Sequence, residues 1–153
     1  MTVVWVDADS CPRMVREYLV SYTKKLEIPV IFVANRIIPQ PVPYEKFKMV
    51  VCPSESQAAD DYIAEHVNKS DLVVTRDIPL ADRLVETGIS VMNDRGTLFT
   101  AENIKERLSE RNFNLQLAEI GLCGTKQSYY GKKEFALFAN CFDKKIHQLI
   151  NEN

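Results

Sequence analysis

Asp7 and Asp9 stand one residue apart in VVWVDADSCP (3–12), directly after a run of four apolar residues. Asp77 follows a second apolar run, DLVVT (71–75), Asp82 lies five residues further on, and Asp60 and Asp61 fall within SQAADDYIAEHV (56–67). Aspartates can cap helices, stay solvated, or gather round a cation. The capping reading is strong for any one of them, since Asp is a preferred N-cap and both Asp9 and Asp77 precede a predicted helix. Four or five carboxylates in one cleft would instead repel and could not all stay ionised unaided. A divalent cation relieves that repulsion, and oxygen-only donors in a chain with two histidines favour Mg²⁺ or Mn²⁺ over zinc. Spacing leaves both readings open.

Other chemistries lack raw material. No GxGxxG follows the first apolar run, and neither GxxxxGK[ST] nor HExxH occurs. Four cysteines, Cys11, Cys52, Cys123 and Cys141, lie far apart without a CxxC pair, which points to buried, reduced thiols. Cys11 is placed in the first turn of a predicted helix, where the dipole would lower its pKa. Neither His66 nor His147 is near it in sequence, so Cys–His catalysis is the weaker reading.

The elements that must position the acids follow from periodicity. A chain of 153 residues, 46% apolar and 26% charged, is that of an ordinary globular protein and is expected to form a single domain over 1–153. No apolar run approaches the ~18–20 residues of a membrane span, and no signal peptide is read at the N-terminus, so a cytoplasmic location is expected. The net charge of −2 carries no global signature of nucleic-acid binding. Lys126, Lys132, Lys133, Lys144 and Lys145 nevertheless outnumber Glu134 and Asp143 over 121–150, as a solvated helix face or a phosphate-binding surface would.

Apolar runs alternate with helix-period segments, the pattern of an α/β fold with a mainly parallel sheet. Strands are predicted at 3–6, 29–35, 47–52, 71–75 and 89–93. A helix opens near Pro12 with Met14, Tyr18 and Tyr22 on one stripe. Ser54 and Gln57 have capping-box spacing for a helix to about Val67, and Asp77, Pro79 and Gly88 bound another over 76–88. Thr100 caps a helix containing Ile104 and Leu108. Phe135, Phe138, Phe142, Ile146 and Leu149 mark a terminal helix over about 133–150, and 121–132 reads as a loop. Trp5 is a core residue. In a doubly wound sheet of order 3-2-1-4-5, the first and fourth strands are neighbours, so Asp7, Asp9 and Asp77 converge beyond their carboxyl ends.

AADDYIAEHVNKSDLVVTRDIPLADRLVETGISVMN (58–93) resembles the second half of a PIN-type nuclease domain. More closely, VDADSCP, VAN (33–35), VVTRDIPLA (73–81), NDRG (93–96) and RNF (111–113) together resemble the YaiI/YqxD family of small bacterial proteins, which is largely uncharacterised and grouped with PIN-like domains. The likeness implies a Rossmann-like three-layer α/β/α sandwich and metal-dependent hydrolysis of RNA or DNA phosphodiesters, with RNA favoured. Carried over, Asp7, Asp9, Asp60, Asp77 and Asp82 are the catalytic candidates, and Asp7, Asp60, Asp77 and Asp82 would hold one or two Mg²⁺ or Mn²⁺ ions. Asp61 is an alternative to Asp60. Asn35, Arg76 and Arg95 are candidate substrate contacts, with Arg36 and Ser10 beside them, although a turn residue, surface arginines and a cap describe them equally well. GLCGTKQSYYGKKEF (121–135) keeps only the outline of the family's glycine-rich turn. Two rival readings stay open. The fold could serve as a non-catalytic module binding nucleic acid or another partner, or D-x-D could mark a haloacid-dehalogenase-like phosphatase, against which Cys11 and the missing later D-D pair both speak.

Overall fold

The computed structural model describes residues 1–55, 57–122 and 129–152. Five strands, β1 (Val4–Asp7), β2 (Val30–Ala34), β3 (Phe47–Val51), β4 (Leu72–Val74) and β5 (Ser90–Met92), form one parallel sheet in the order β3-β2-β1-β4-β5. The order expected from sequence is the one observed. Val6 pairs with Phe32 on one side and Val74 on the other, so the carboxyl ends of β1 and β4 lie side by side.

Side-chain alternation explains why both faces are covered. Val4, Val6, Val30, Phe32, Leu72 and Val74 point to one face, where they meet Val15 and Leu19 of α1 (Arg13–Leu26) and Phe138, Phe142 and Ile146 of α5 (Lys132–Glu152). Trp5, Val33, Val73 and Val91 point to the other. There they meet Ala59 and Ile63 of α2 (Ala58–His66), Leu80 and Leu84 of α3 (Ile78–Glu86) and Ile104 of α4 (Ala101–Glu119). The result is a Rossmann-like three-layer sandwich. The aromatic stripe of the terminal helix is core, as expected, with Tyr18 and Tyr22 of α1 meeting Phe142 edge-on.

Local signals set most boundaries. Thr100 and Asn103 form a reciprocal capping box at α4, and Asp77 caps α3 through Leu80 N (2.8 Å). Gly88 takes a positive φ of 82° just past α3. Two expectations change. The Ser54/Gln57 box does not form, because α2 begins at Ala58 and Gln57 itself occupies the N-cap, without a side-chain cap bond. Between β1 and α1 the chain makes a 3-10 turn, Ala8–Ser10, so Cys11 precedes the helix instead of sitting in its first turn. Of the expected 121–132 loop, residues 123–128, with Cys123 and Lys126, lie outside the described residues. Among the described residues no helix is long and apolar enough to cross a membrane.

Candidate functional site: an acidic cleft at the carboxyl edge of the sheet

A parallel sheet leaves a crevice beyond its carboxyl ends where strand order reverses. Here β1 departs toward α1 on one face, β4 toward α3 on the other, and the crevice between them has a volume of about 340 Å³. Its lining includes Asp7, Asp9, Asp60, Asp77, Asn35 and Arg76, with Ser10 and Ala59. Four of the five expected catalytic acids therefore share one space, delivered by three separate segments of chain.

Each acid is seated by its element. Asp7 ends β1, and Thr75, just past β4, donates its hydroxyl to Asp7 Oδ2 (2.8 Å). The same Thr75 Oγ1 accepts from Asp77 N (3.0 Å), so one side chain ties the two strand ends together. Asp9, in the 3-10 turn, accepts from the backbone N–H of Asn35 (2.8 Å), with the Arg36 guanidinium 3.8 Å away. The VAN motif thus serves Asp9 through its main chain. Asp60 faces the cleft from the first turn of α2, whereas its neighbour Asp61 turns out to pair with Arg83 of α3 at 2.8 Å. Of the two, Asp60 lines the cleft and Asp61 does not.

Crowding shows in the protonation of the acids. Burial, with the charges of Asp77 and Asp9, pushes Asp7 up to about 6 against the lowering effect of its Thr75 bond. Burial and the charges of Asp77 and Asp7 raise Asp60 to about 7, helped by a hydrogen bond that protonated Asp60 donates to Asp77. Neither acid has enough donors around it to stabilise full ionisation. Perturbed acids in a cleft mark candidate functional sites, although structural clusters also perturb.

Two expected site residues stand outside the cleft, and one expected pKa shift is reversed. Asp82 is outside the cleft lining and bonds Lys105 Nζ of α4 at 2.7 Å. Five helical residues past Asp77 is about 140° round the axis, so the two cannot share a face. Arg95 packs over the Tyr130 ring, 5.5 Å from its centroid, and is not among the residues lining the cleft. Burial first, then the negative charge of Asp94, raise the Cys11 thiol, the opposite of the expected activation.

Sequence reasoning passed over Thr75, Asp94 and Tyr130. Asp94, in the NDRG motif, is 2% exposed and ion-pairs through Oδ2 with Arg76 Nε. The rest of NDRG builds the turn that presents it. Asn93 Oδ1 accepts from Arg95 N and Thr97 N, both at 2.9 Å, and Gly96 has φ 83° and would bring a Cβ within 2.5 Å of the Leu137 carbonyl. The specificity of that short motif was its only sequence signal.

A Rossmann-like sandwich with an acidic crevice at its switch point defines the class of protein. The chain belongs to the family described as uncharacterized BCR, YaiI/YqxD, whose profile matches residues 5–148. A UPF0178 protein of Treponema denticola is 46% identical over 149 residues, covering 97% of this chain and 94% of that protein. UPF0178 proteins of Pseudomonas fluorescens (strain Pf0-1) and Pseudomonas putida (strain GB-1) are 40% identical over 151 residues and 39% identical over 146 residues. They cover 98% and 95% of this chain and 99% and 97% of their own lengths. No solved structure matches the chain.

Proposed function

We propose that this chain is a Mg²⁺- or Mn²⁺-dependent phosphodiesterase that cleaves RNA. The observation that carries the reading is the gathering of Asp7, Asp9, Asp60 and Asp77 round one crevice, with Asp7 and Asp60 pushed toward neutrality by burial and by the charges of neighbouring acids. The resemblance of residues 58–93 to PIN-type nucleases supports the same reaction class.

The donors suit a hard divalent cation in kind, being carboxylate oxygens without imidazole or thiolate. In placement, no three Asp, Glu, His or Cys side chains among the described residues stand together as an ion-holding group. The reading therefore asks for side-chain rotation on binding, with Asp7, Asp60 and Asp77 as the holders and Asp9 beside them; Asp82 drops out. Bound there, the cation would acidify water and neutralise charge growing on phosphoryl oxygens. The chain's own residues supply the framework. Thr75 fixes Asp7 relative to Asp77, the Asn35 amide fixes Asp9, and Arg76 offers a guanidinium in the cleft lining to a phosphate.

The direct test is cleavage of single-stranded RNA with Mn²⁺ by the parent, Asp7→Asn and Asp77→Asn. Loss of activity in both variants, on the order of a hundredfold or more, is expected because charge stabilisation at the phosphorus is removed. Cleavage equal to the parent sinks the mechanism. The placement of the acids without an ion-holding trio favours one rival, a binding module without catalysis. RNA affinity that falls with salt and survives both substitutions is its signature.

A further inference from the structure

Among the described residues, Arg76 is the one basic side chain lining a cleft otherwise furnished with acids, and its surroundings are unusually elaborate for a surface arginine. Its side chain is 41% exposed, while the side chain of its partner Asp94 is only 3% exposed. Only Nε is engaged by Asp94; the terminal amino nitrogens make no hydrogen bond to the described residues. The Tyr130 ring lies under the guanidinium, 6.0 Å from Cζ to centroid, within cation–π range. Tyr130 is itself anchored, its hydroxyl donating to the Asp94 carbonyl oxygen at 2.5 Å. Asp94 and Tyr130 therefore hold each other and the arginine together.

Asp94 Oδ1 is buried without a hydrogen-bond partner among the described residues. Leaving a buried carboxylate oxygen unpaired is costly, and such exceptions call for a reason. A pair serving stability alone would gain by satisfying both oxygens against both edges of the guanidinium. This pair grips one nitrogen and leaves the outer fork of the guanidinium, on a side chain that lines the cleft, without a hydrogen bond to the described residues; that fork matches the oxygens of a phosphate.

We propose that Asp94 and Tyr130 are positioning residues that hold Arg76 at the rim of the acidic cleft as a clamp for a backbone phosphate of single-stranded RNA. This rests on the nuclease reading for its substrate and extends it to the residues that would bring the phosphodiester to the acids. In so acidic a crevice a polyanion needs a fixed cation at the entrance, and a guanidinium locked at Nε loses little entropy when it binds.

The test is fluorescence anisotropy of a labelled oligouridine on the full chain in EDTA, over a range of salt. Arg76→Gln should weaken binding about tenfold, as loss of a charged hydrogen-bonded contact does, and should flatten the salt dependence by roughly 0.7 in log–log slope. Asp94→Asn removes a negative charge, so field effects alone would tighten RNA binding; a clamp that has lost its holder binds more weakly. With Arg76→Gln already present, Asp94→Asn should add no further loss, since the two act as a unit. Tyr130→Phe should cost less than Asp94→Asn, and Tyr130→Leu more than Tyr130→Phe, both vanishing in the Arg76→Gln background. These two variants carry the same cycle if Asp94→Asn fails to fold. Unchanged or tighter binding by Asp94→Asn or Tyr130→Leu, additive losses, or no RNA binding by the parent each overturn the clamp. A parent that binds RNA with the cycle intact yet cleaves nothing with Mn²⁺ defeats only the nuclease reading; a parent that cleaves RNA but shows no coupling defeats only the clamp.

Discussion

Aspartates occupy both ends of the same strands, and the two ends treat them differently. At the amino edge Asp71, directly before β4, is 1% exposed and accepts three hydrogen bonds, from Val3 N (2.9 Å), Asn68 N (2.9 Å) and Trp5 Nε1 (3.0 Å). At the carboxyl edge Asp7 takes one hydroxyl, and Asp60 faces the charges of Asp77 and Asp7. A carboxylate ringed by N–H donors is solvated by the protein; one ringed by carboxylates waits for a proton or a cation. Donor supply, more than burial or residue type, separates the acid that builds the fold from the acids that could do chemistry.

That contrast breaks most visibly at Asp71. Asp71→Ala strands two backbone amides and an indole N–H, at a cost of at least about 3 kcal/mol, equivalent to a melting-temperature fall of about 6–12 °C in a chain of this size. Thermal unfolding checks it; a fall of only a degree or two would mean that the three donors find other partners and that the amino-edge acid is not structural. A divalent cation sharpens the contrast from the other end. At a concentration one hundred times its Kd, Mg²⁺ or Mn²⁺ should stabilise the chain by about 2.7 kcal/mol. The gain should disappear in Asp7→Asn and persist, relative to its own lower baseline, in Asp71→Ala. Equal metal-dependent shifts in the parent and Asp7→Asn would place the ion elsewhere.

Proton linkage separates the two ends by sign. Asp7 and Asp60 have folded-state values of about 6 and 7 against an ordinary 3.8, so the folded state holds more protons than the unfolded state between about pH 4 and 7. Stability contributed by these groups is present at the acid side of that window and is lost as pH rises through it. For Asp7 the displacement corresponds to at most about 3 kcal/mol, and relaxation and solvent reduce the net effect, so Asp7→Asn in EDTA at pH 8 should stabilise by about 1–2 kcal/mol. The carboxamide introduced there can still accept from Thr75. Asp60→Asn should act in the same direction. Melting temperatures recorded from pH 4.5 to 8 should decline less steeply in either variant than in the parent. Parallel curves would mean that neither burial nor neighbouring charge raises these acids in the folded chain.

Much of this arrangement was legible beforehand, for reasons that are local. Val4–Asp7 and Leu72–Val74 are buried on both faces and read as apolar runs bounded by acids; Asp77-Ile-Pro and Thr100 with Asn103 are caps formed by near neighbours. Strand order followed from the α/β alternation, and strand order alone brings Asp7 to Asp77. What was illegible depends on partners far apart in sequence. Asp60 and Asp61 are adjacent, and only the packing of α2 against α3 decides that Arg83 takes Asp61. Asp71 looked like the first residue of a strand, with nothing local to show that Val3 and Trp5, 68 and 66 residues away, would donate to it. Asp94 and Tyr130, 36 residues apart, meet only because α5 returns to the sheet beside the NDRG turn. The Ser54/Gln57 box failed because its spacing is necessary for a cap but does not choose where the helix begins.

Asp82 supplies the smallest effect and the most discriminating control. It shares a helix with the cleft acid Asp77 and is of the same residue type, yet its side chain bonds Lys105 Nζ, which also meets Glu86 Oε1 at 3.1 Å. If nearness in sequence to the cleft were enough, Asp82→Asn would behave like Asp77→Asn. If the surroundings decide, Asp82→Asn keeps RNA cleavage within about twofold of the parent, as surface changes away from a site do. It should lower the melting point only slightly, because a lysine held in water by two acids retains Glu86 when one is removed. The same variant should keep the full metal-dependent rise in melting temperature that Asp7→Asn loses. A loss of cleavage in Asp82→Asn comparable to that in Asp77→Asn would show that the cleft extends along α3 in the working protein, and would return Asp82 to the set of acids from which its ion pair now excludes it.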